Sequence, residues 1–209
     1  MSDPGAVSCQ RVPPLLLASA SPRRKRILED LGLSFECVPS RVDEEEILAA
    51  GEFAPTEAAL ILARAKAREV RERKRRGLII GADTVVTDGS CMLGKPSDDD
   101  DARRMLLRLS GRSHSVTTAV CVIDADRGCE AAEVCQTAVR MKVLSPEVIE
   151  AYIATGEHRD KAGSYAIQGR GGLLVESIEG SHTCVVGFPV HVLDRLFARL
   201  GYSIWHFML

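Results

Sequence analysis

The stretch Leu78-Ile79-Ile80-Gly81-Ala82-Asp83-Thr84 decides the fold. An apolar run ended by small residues and an acid is the pattern of a buried strand that delivers a carboxylate to the edge of its sheet. Carboxylates so placed lie where open α/β sheets bind ligands. Taken alone, Asp83 could equally cap the strand or an adjoining turn, because Asp is common in turns. The segments on either side have to decide.

Upstream, Leu15-Leu16-Leu17 reads as a first strand and Ala18-Ser19-Ala20-Ser21 as a loop of small residues. Pro22 then opens a helix whose apolar positions Ile27, Leu28 and Leu31 share one face and which Gly32 stops. Arg23, Arg24, Lys25 and Arg26 crowd its first turn, where each positive charge opposes the macrodipole at a cost of about 0.3–1 kcal/mol. An anion there would reverse that cost, since a helix start plus guanidinium groups makes a phosphate site. A solvated basic face is the plainer alternative.

Residues 35–38 look like a second strand, followed by the acidic run Asp43-Glu44-Glu45-Glu46. That run is either a solvated face or the source of one carboxylate that helps hold a divalent ion beside phosphates. Pro55-Thr56-Glu57 opens a long helix to about residue 74, on which Lys66, flanked by alanines, reads from spacing as an exposed helix lysine. The basic end of that helix, Arg71 to Arg76, suits a C-terminal dipole and needs no nucleic acid.

Downstream, Val85-Val86-Thr87 and Met92-Leu93 flank Asp88-Gly89, a hairpin signal that brings Lys95 close behind. Ser97 is the expected cap of a helix over 98–109, with Asp98 to Asp101 complementing its dipole. Residues 116–123 and 134–143 pattern as an antiparallel pair, and 146–155 as a short helix. The run 160–169 is glycine-marked loop where something approaches the backbone closely. Leu173-Leu174-Val175 reads as a strand, and Pro189 begins a last helix to about residue 200. The apolar tail Trp205-His206-Phe207-Met208-Leu209 either docks on the core or reflects an unusual terminus. Together these elements predict an α/β fold with a mixed sheet, helices on its faces and two lobes around a cleft.

Composition narrows the function. At 209 residues the chain is long enough for one substantial core, and its 45% hydrophobic and 27% charged residues are those of a soluble globular protein. A formal net charge of -2 gives nothing that draws it to nucleic acid or an anionic membrane. Seven cysteines without a CxxC pair suggest reduced thiols and hence a cytoplasmic location. No apolar run reaches the roughly 20 residues that span a bilayer. Residues 1–14 are expected to form a disordered leader, and 15–209 a single domain.

Four strings in order, Leu17-Ala18-Ser19-Ala20-Ser21-Pro22-Arg23-Arg24, Gly81-Ala82-Asp83-Thr84, Gly94-Lys95-Pro96 and Asp160-Lys161-Ala162-Gly163-Ser164-Tyr165-Ala166-Ile167-Gln168-Gly169, resemble the Maf family of nucleoside triphosphate pyrophosphatases. The Maf-like part of acetylserotonin methyltransferase-like proteins is similar as well. The resemblance implies an inosine-triphosphatase-like fold, a homodimer, and hydrolysis of a nucleoside triphosphate between its α and β phosphates. It implies Asp83 as general base, with Ser21, Arg24, Glu44, Lys66 and Lys95 around the triphosphate.

The resemblance further implies that Arg23, Thr84 and Gln168 occupy the positions that select the base. In this combination they match the branch acting on dTTP and UTP; another branch acts on 7-methyl-GTP. A Gln amide offers the donor and acceptor that the carbonyl and imide N–H of uracil or thymine need. A divalent cation, Mg2+ or Mn2+, is expected, with Glu44 as the carboxylate that holds it; whether Asp83 is base or ligand stays open. The alternative of a different class is a nucleotide-binding regulator of cell division without turnover.

Overall fold

Short aliphatic runs build the sheet, and small residues decide where helices can approach it. The computed structural model describes residues 12–208. In chain order it contains β1 (Leu15–Leu17), α1 (Pro22–Asp30), β2 (Phe35–Cys37), α2 (Glu44–Ala49), α3 (Pro55–Arg73), β3 (Leu78–Thr87) and β4 (Met92–Leu93). There follow α4 (Asp99–Leu109), β5 (Ser113–Asp124), β6 (Cys129–Met141), α5 (Pro146–Ile153), β7 (Val175–Glu179), α6 (His182–Val186) and α7 (Val190–Arg199).

The sheet runs β2-β1-β3-β5-β6-β7, with β4 on β3 outside that path. β1 is parallel to both β2 and β3, and the remaining pairings are antiparallel, so the expected mixed sheet with helices on its faces is observed. The pairing of β3 is lopsided. One edge bonds β5 along its whole length, from Leu78↔Asp124 to Thr87↔Ser115. On the other edge β1 pairs only with Leu78 to Ile80 and β4 only with Val86 and Thr87, leaving Gly81 to Val85 without a strand partner.

Alternation along β3 sorts its side chains between two faces. Leu78, Ile80 and Ala82 pack with Leu28 of α1 and with Val192, Leu193, Leu196 and Phe197 of α7. Ile79 and Val85 pack on the other face against Ala59, Ala63, Ala67 and Val70 of α3. A third cluster, in which Val86, Val116, Val139 and Met141 meet Leu106 of α4 and Ile149 of α5, fills the far lobe. The open stretch of β3 lies between the lobes.

The structure corrects several sequence expectations. β3 does not end at the Gly81-Ala82-Asp83-Thr84 string but runs through it, because β5 pairs with every residue of it. Asp98, not Ser97, caps α4: its side chain accepts from Asp101 N, while Ser97 N donates to Asp101 Oδ2 at 3.1 Å. Leu173 and Leu174 belong to a 3-10 turn, Gly169–Leu174, that precedes β7. The acidic run turned out to be the first turn of α2, capped by Asp43. Of the two alternatives for the C-terminal tail, docking is the one observed: Ile204 and Phe207 join the α1/α7 core, and Met208 bridges to Leu33. The leader expected over 1–14 lies mostly outside the described residues, although the Pro14 carbonyl accepts from Leu78 N at 2.9 Å.

Gly81 permits a close approach of α3 to the sheet. A Cβ there would stand 2.4 Å from the Ala63 carbonyl oxygen and 2.9 Å from Ala67 Cβ, so α3 packs directly on the β3 backbone. Gly81→Ala should therefore lower the urea midpoint by an amount equivalent to about 1–3 kcal/mol. An unchanged midpoint would mean that α3 yields without cost and that the close packing is incidental.

Candidate active site

Two loops and two faces of β3 converge where that strand is open. A cleft of about 360 Å³ is lined by Ser21, Arg23, Arg24, Glu44, Lys66, Asp83, Thr84, Lys95 and Gln168, every residue singled out from the sequence. They come from the β1–α1 loop, α1, α2, α3, β3, the segment after β4 and the loop before the Gly169–Leu174 turn.

Asp83 follows Ile79 and Gly81 on the face that meets α3, and Lys66 lies one helical turn along α3 from Ala63. The close packing at Gly81 carries Lys66 Nζ to 2.6 Å from Asp83 Oδ1. The same Nζ is 2.6 Å from Glu44 Oε1, at the first turn of α2. Lys66 is only 8% and Asp83 only 6% exposed. The expectation of an exposed helix lysine is thus overturned: the alanines around Lys66 are the thin layer that lets it reach under the helix to a buried acid.

The two carboxylates on this lysine are driven apart in acidity. Burial pushes the Asp83 carboxyl above its ordinary range, and the charges of Lys66 and Arg24 only partly offset that. Burial also acts upward on Glu44, but the hydrogen bond and charge of Lys66, with the charges of Lys95 and Arg24, hold it below the ordinary range. A pair separated in this way provides one proton acceptor and one permanent anion.

On the opposite face, Arg24 is turned inward from the first turn of α1 and buried. Its Nε donates to the Gly187 carbonyl at 3.0 Å, Nη1 to Ser19 Oγ at 3.2 Å and Nη2 to Thr84 Oγ1 at 3.2 Å. Burial lowers its pKa, with Asp83 acting against that, and a guanidinium keeps its proton throughout. Ser21 caps α1 by accepting from Arg24 N at 3.5 Å. Arg23 reaches across the cleft to Asp160 at 3.7 Å, and Lys95 stands exposed at the mouth.

The sequence reading gives no individual role to Ser19, Thr118, Asp160, Lys161 or Gly187. Ser19 accepts from both Arg24 Nη1 and Ser21 N, so its own proton is free for an anion. Lys161 lines the cleft and Asp160 does so from a left-handed backbone, φ 63°. A pair of hydroxyls, Thr117 and Thr118, within the otherwise aliphatic stretch Val116-Thr117-Thr118-Ala119-Val120 is the available sign for Thr118. Nothing local in the sequence marks Gly187, whose carbonyl matters only through the long-range contact with Arg24.

Among the described residues no three His, Cys, Asp or Glu side chains form a metal cluster. Asp83 and Glu44 nonetheless converge, since both touch one ammonium nitrogen. Mg2+ is ordinarily held by one or two carboxylates together with substrate phosphates, so this donor set fits a hard cation that arrives with a polyphosphate.

A family model described as Maf-like protein matches residues 14–200. A protein of Moorella thermoacetica named dTTP/UTP pyrophosphatase is 49% identical over 191 residues, covering 91% of this chain and 97% of that protein. One of the same name from Thermococcus kodakarensis is 49% identical over 191 residues, covering 91% and 98%. A crystal structure of a nucleoside-triphosphatase / dITP/XTP pyrophosphatase from Mycobacterium abscessus is similar with a TM-score of 0.37 and 18% identity, over 61% of this chain and 74% of that one.

Removing one partner of a buried ion pair usually costs about 3–5 kcal/mol, because the other charge is left unpaired. Lys66→Met should accordingly destabilise the chain by about that amount at pH 8 and by less at pH 5, where an unpaired Asp83 takes up a proton. The double variant Lys66→Met/Asp83→Asn should recover most of the loss. Urea melts at the two pH values check this, and additive losses in the double variant would show that the two side chains are not coupled.

Proposed function

The chain belongs to the Maf family, and we propose that it hydrolyses dTTP and UTP between the α and β phosphates, releasing the nucleoside monophosphate and pyrophosphate. The observation that carries this reading is the Glu44–Lys66–Asp83 triad at the open edge of β3, in one cleft with Arg23 and Arg24 of α1 and with Lys95. A triphosphate brings about four negative charges, which must be screened before a nucleophile can approach phosphorus.

Arg24, Lys66 and Lys95 supply that screening, and the Ser19 and Ser21 loop at the start of α1 adds backbone and hydroxyl donors. Asp83 orients a water and accepts its proton as the oxygen attacks the α-phosphorus; the bond to the bridging oxygen breaks and pyrophosphate departs with that electron pair. An elevated Asp83 pKa makes it a better base than a free carboxylate. Glu44 would hold a divalent cation, Mg2+ or Mn2+, which would supply positive charge on the phosphate oxygens and lower the pKa of nearby water. Arg23, Thr84 and Gln168 line the same cleft and select the base.

The same reading places the protein in the cytoplasm as a homodimer. In support of the cytoplasm, the six cysteines among the described residues are free thiols.

Asp83→Asn should abolish pyrophosphate release from dTTP and UTP, by about 10²-fold or more in kcat/KM, while the circular dichroism spectrum stays unchanged. The sign of its pH effects follows from a folded pKa raised above the unfolded one. Between the two values the folded chain binds more protons, so the contribution of Asp83 to stability is present at low pH and lost as pH rises through the folded value. Activity should move the other way, with an acidic limb of kcat/KM lying above the ordinary Asp range. Near-parental turnover in Asp83→Asn would remove Asp83 from the chemistry, and a panel in which only 7-methyl-GTP yields pyrophosphate would reassign the substrate.

A further inference from the structure

Thr84 carries one hydroxyl proton, and its neighbours determine where that proton points. Thr118 Oγ1 lies 2.8 Å from the Cys184 carbonyl oxygen, which can only accept, so the single Thr118 proton is committed there. Thr118 Oγ1 also lies 3.0 Å from Thr84 Oγ1. With its own proton engaged, Thr118 must accept in this second contact, and Thr84 is the donor. The Arg24 guanidinium has no lone pair and donates to Thr84 Oγ1 from Nη2 at 3.2 Å. Thr84 therefore gives its proton to Thr118 and one lone pair to Arg24, and what it keeps for the cleft is one lone pair. Thr118 is fully buried, so water cannot compete for the arrangement.

We infer that Thr118, held by the Cys184 carbonyl, fixes Thr84 as an acceptor-only group in the cleft and so acts as a positioning residue for selection of an imide N–H over a ring nitrogen lone pair. This rests on the pyrimidine triphosphate reading above and adds to it what separates uracil and thymine from cytosine. Uracil and thymine present an N–H at ring position 3, whereas cytosine presents a lone pair there. Gln168 cannot make that distinction by itself. Its side chain is exposed, no hydrogen bond among the described residues holds its amide, and a half-turn of the amide exchanges donor for acceptor. A flipped amide suits cytosine as well as an unflipped one suits uracil. Thr84 cannot flip in this sense, because Thr118 and Arg24 have taken its proton and one of its lone pairs. The imide N–H can donate to Thr84, alone or shared with the Gln168 carbonyl; cytosine sets lone pair against lone pair.

The test is pyrophosphate release from UTP and CTP by the full chain. The parent should prefer UTP. Thr118→Val keeps the shape of the side chain but cannot accept from Thr84, which frees the Thr84 proton to turn toward the cleft. The ratio of kcat/KM for UTP over that for CTP should then fall at least about tenfold, and Thr118→Ser should restore it. A purely structural role would lower both substrates together and leave the ratio where it was. An unchanged ratio in a folded Thr118→Val, or a parent indifferent to the two bases, overturns the inference while the pyrophosphatase reading stands. A parent that hydrolyses neither nucleotide overturns both. Should Thr118→Val fail to fold, Thr84→Val deletes the acceptor directly and must collapse the same ratio; if it does not, the inference is wrong.

Discussion

One buried ion pair ties the fold to the site. Lys66 and Asp83 meet at 2.6 Å under a helix that can lie so close to the sheet only because Gly81 has no side chain and Ala63 and Ala67 have small ones. A pair of this kind is weak evidence for stability, since the desolvation of two charges can exceed their attraction. Under the proposed hydrolysis its cost makes sense as preparation: Asp83 is held in place, buried, and kept next to positive charge. The second carboxylate on the same ammonium, Glu44, has the opposite character, anionic over a wider pH range. One lysine thus holds two acids of opposite character.

The other requirement is an opening. A sheet whose central strand is bonded on both edges offers no route to its middle, but β3 is uncovered from Gly81 to Val85 on one side, because β1 is three residues long and β4 two. Asp83 and its neighbour Thr84 point to opposite faces of that strand. The cleft is reached by both, so a buried carboxylate and a hydroxyl bonded to Arg24 enter it from consecutive residues. Arg24 joins the two halves: it raises the positive field felt by Asp83 and takes a lone pair of Thr84.

Much of this was legible in the sequence where the chemistry is local. The Pro22 helix start, the hairpin about Asp88-Gly89, the antiparallel pair β5–β6 and the long α3 all follow from turn residues and periodicity. The nine candidate residues, gathered from distant segments by resemblance, line one cleft. Lys66 was misread because spacing along a helix reports its face and not how near the next layer lies; the glycine that sets that distance is 15 residues away in sequence. The end of β3 was misplaced because Gly81-Ala82-Asp83-Thr84 has the look of a turn, and only the long β5 partner keeps it extended. Thr118, Ser19 and Gly187 escaped notice because their parts are played through hydrogen bonds across the fold. The C-terminal tail shows the same limit in reverse: its apolarity was visible, its docking site was not.

The most direct measurement on the central claim is a crystal structure of the chain with α,β-methylene-UTP, which cannot be cleaved at the bond in question. The account predicts that the α-phosphorus lies at the open edge of β3, with a water or a phosphate oxygen within hydrogen-bonding distance of the Asp83 carboxylate and the polyphosphate against Arg24 and Lys95. An analogue whose phosphates lie along another face of the sheet, with Asp83 and Lys66 still locked together and untouched, would contradict it.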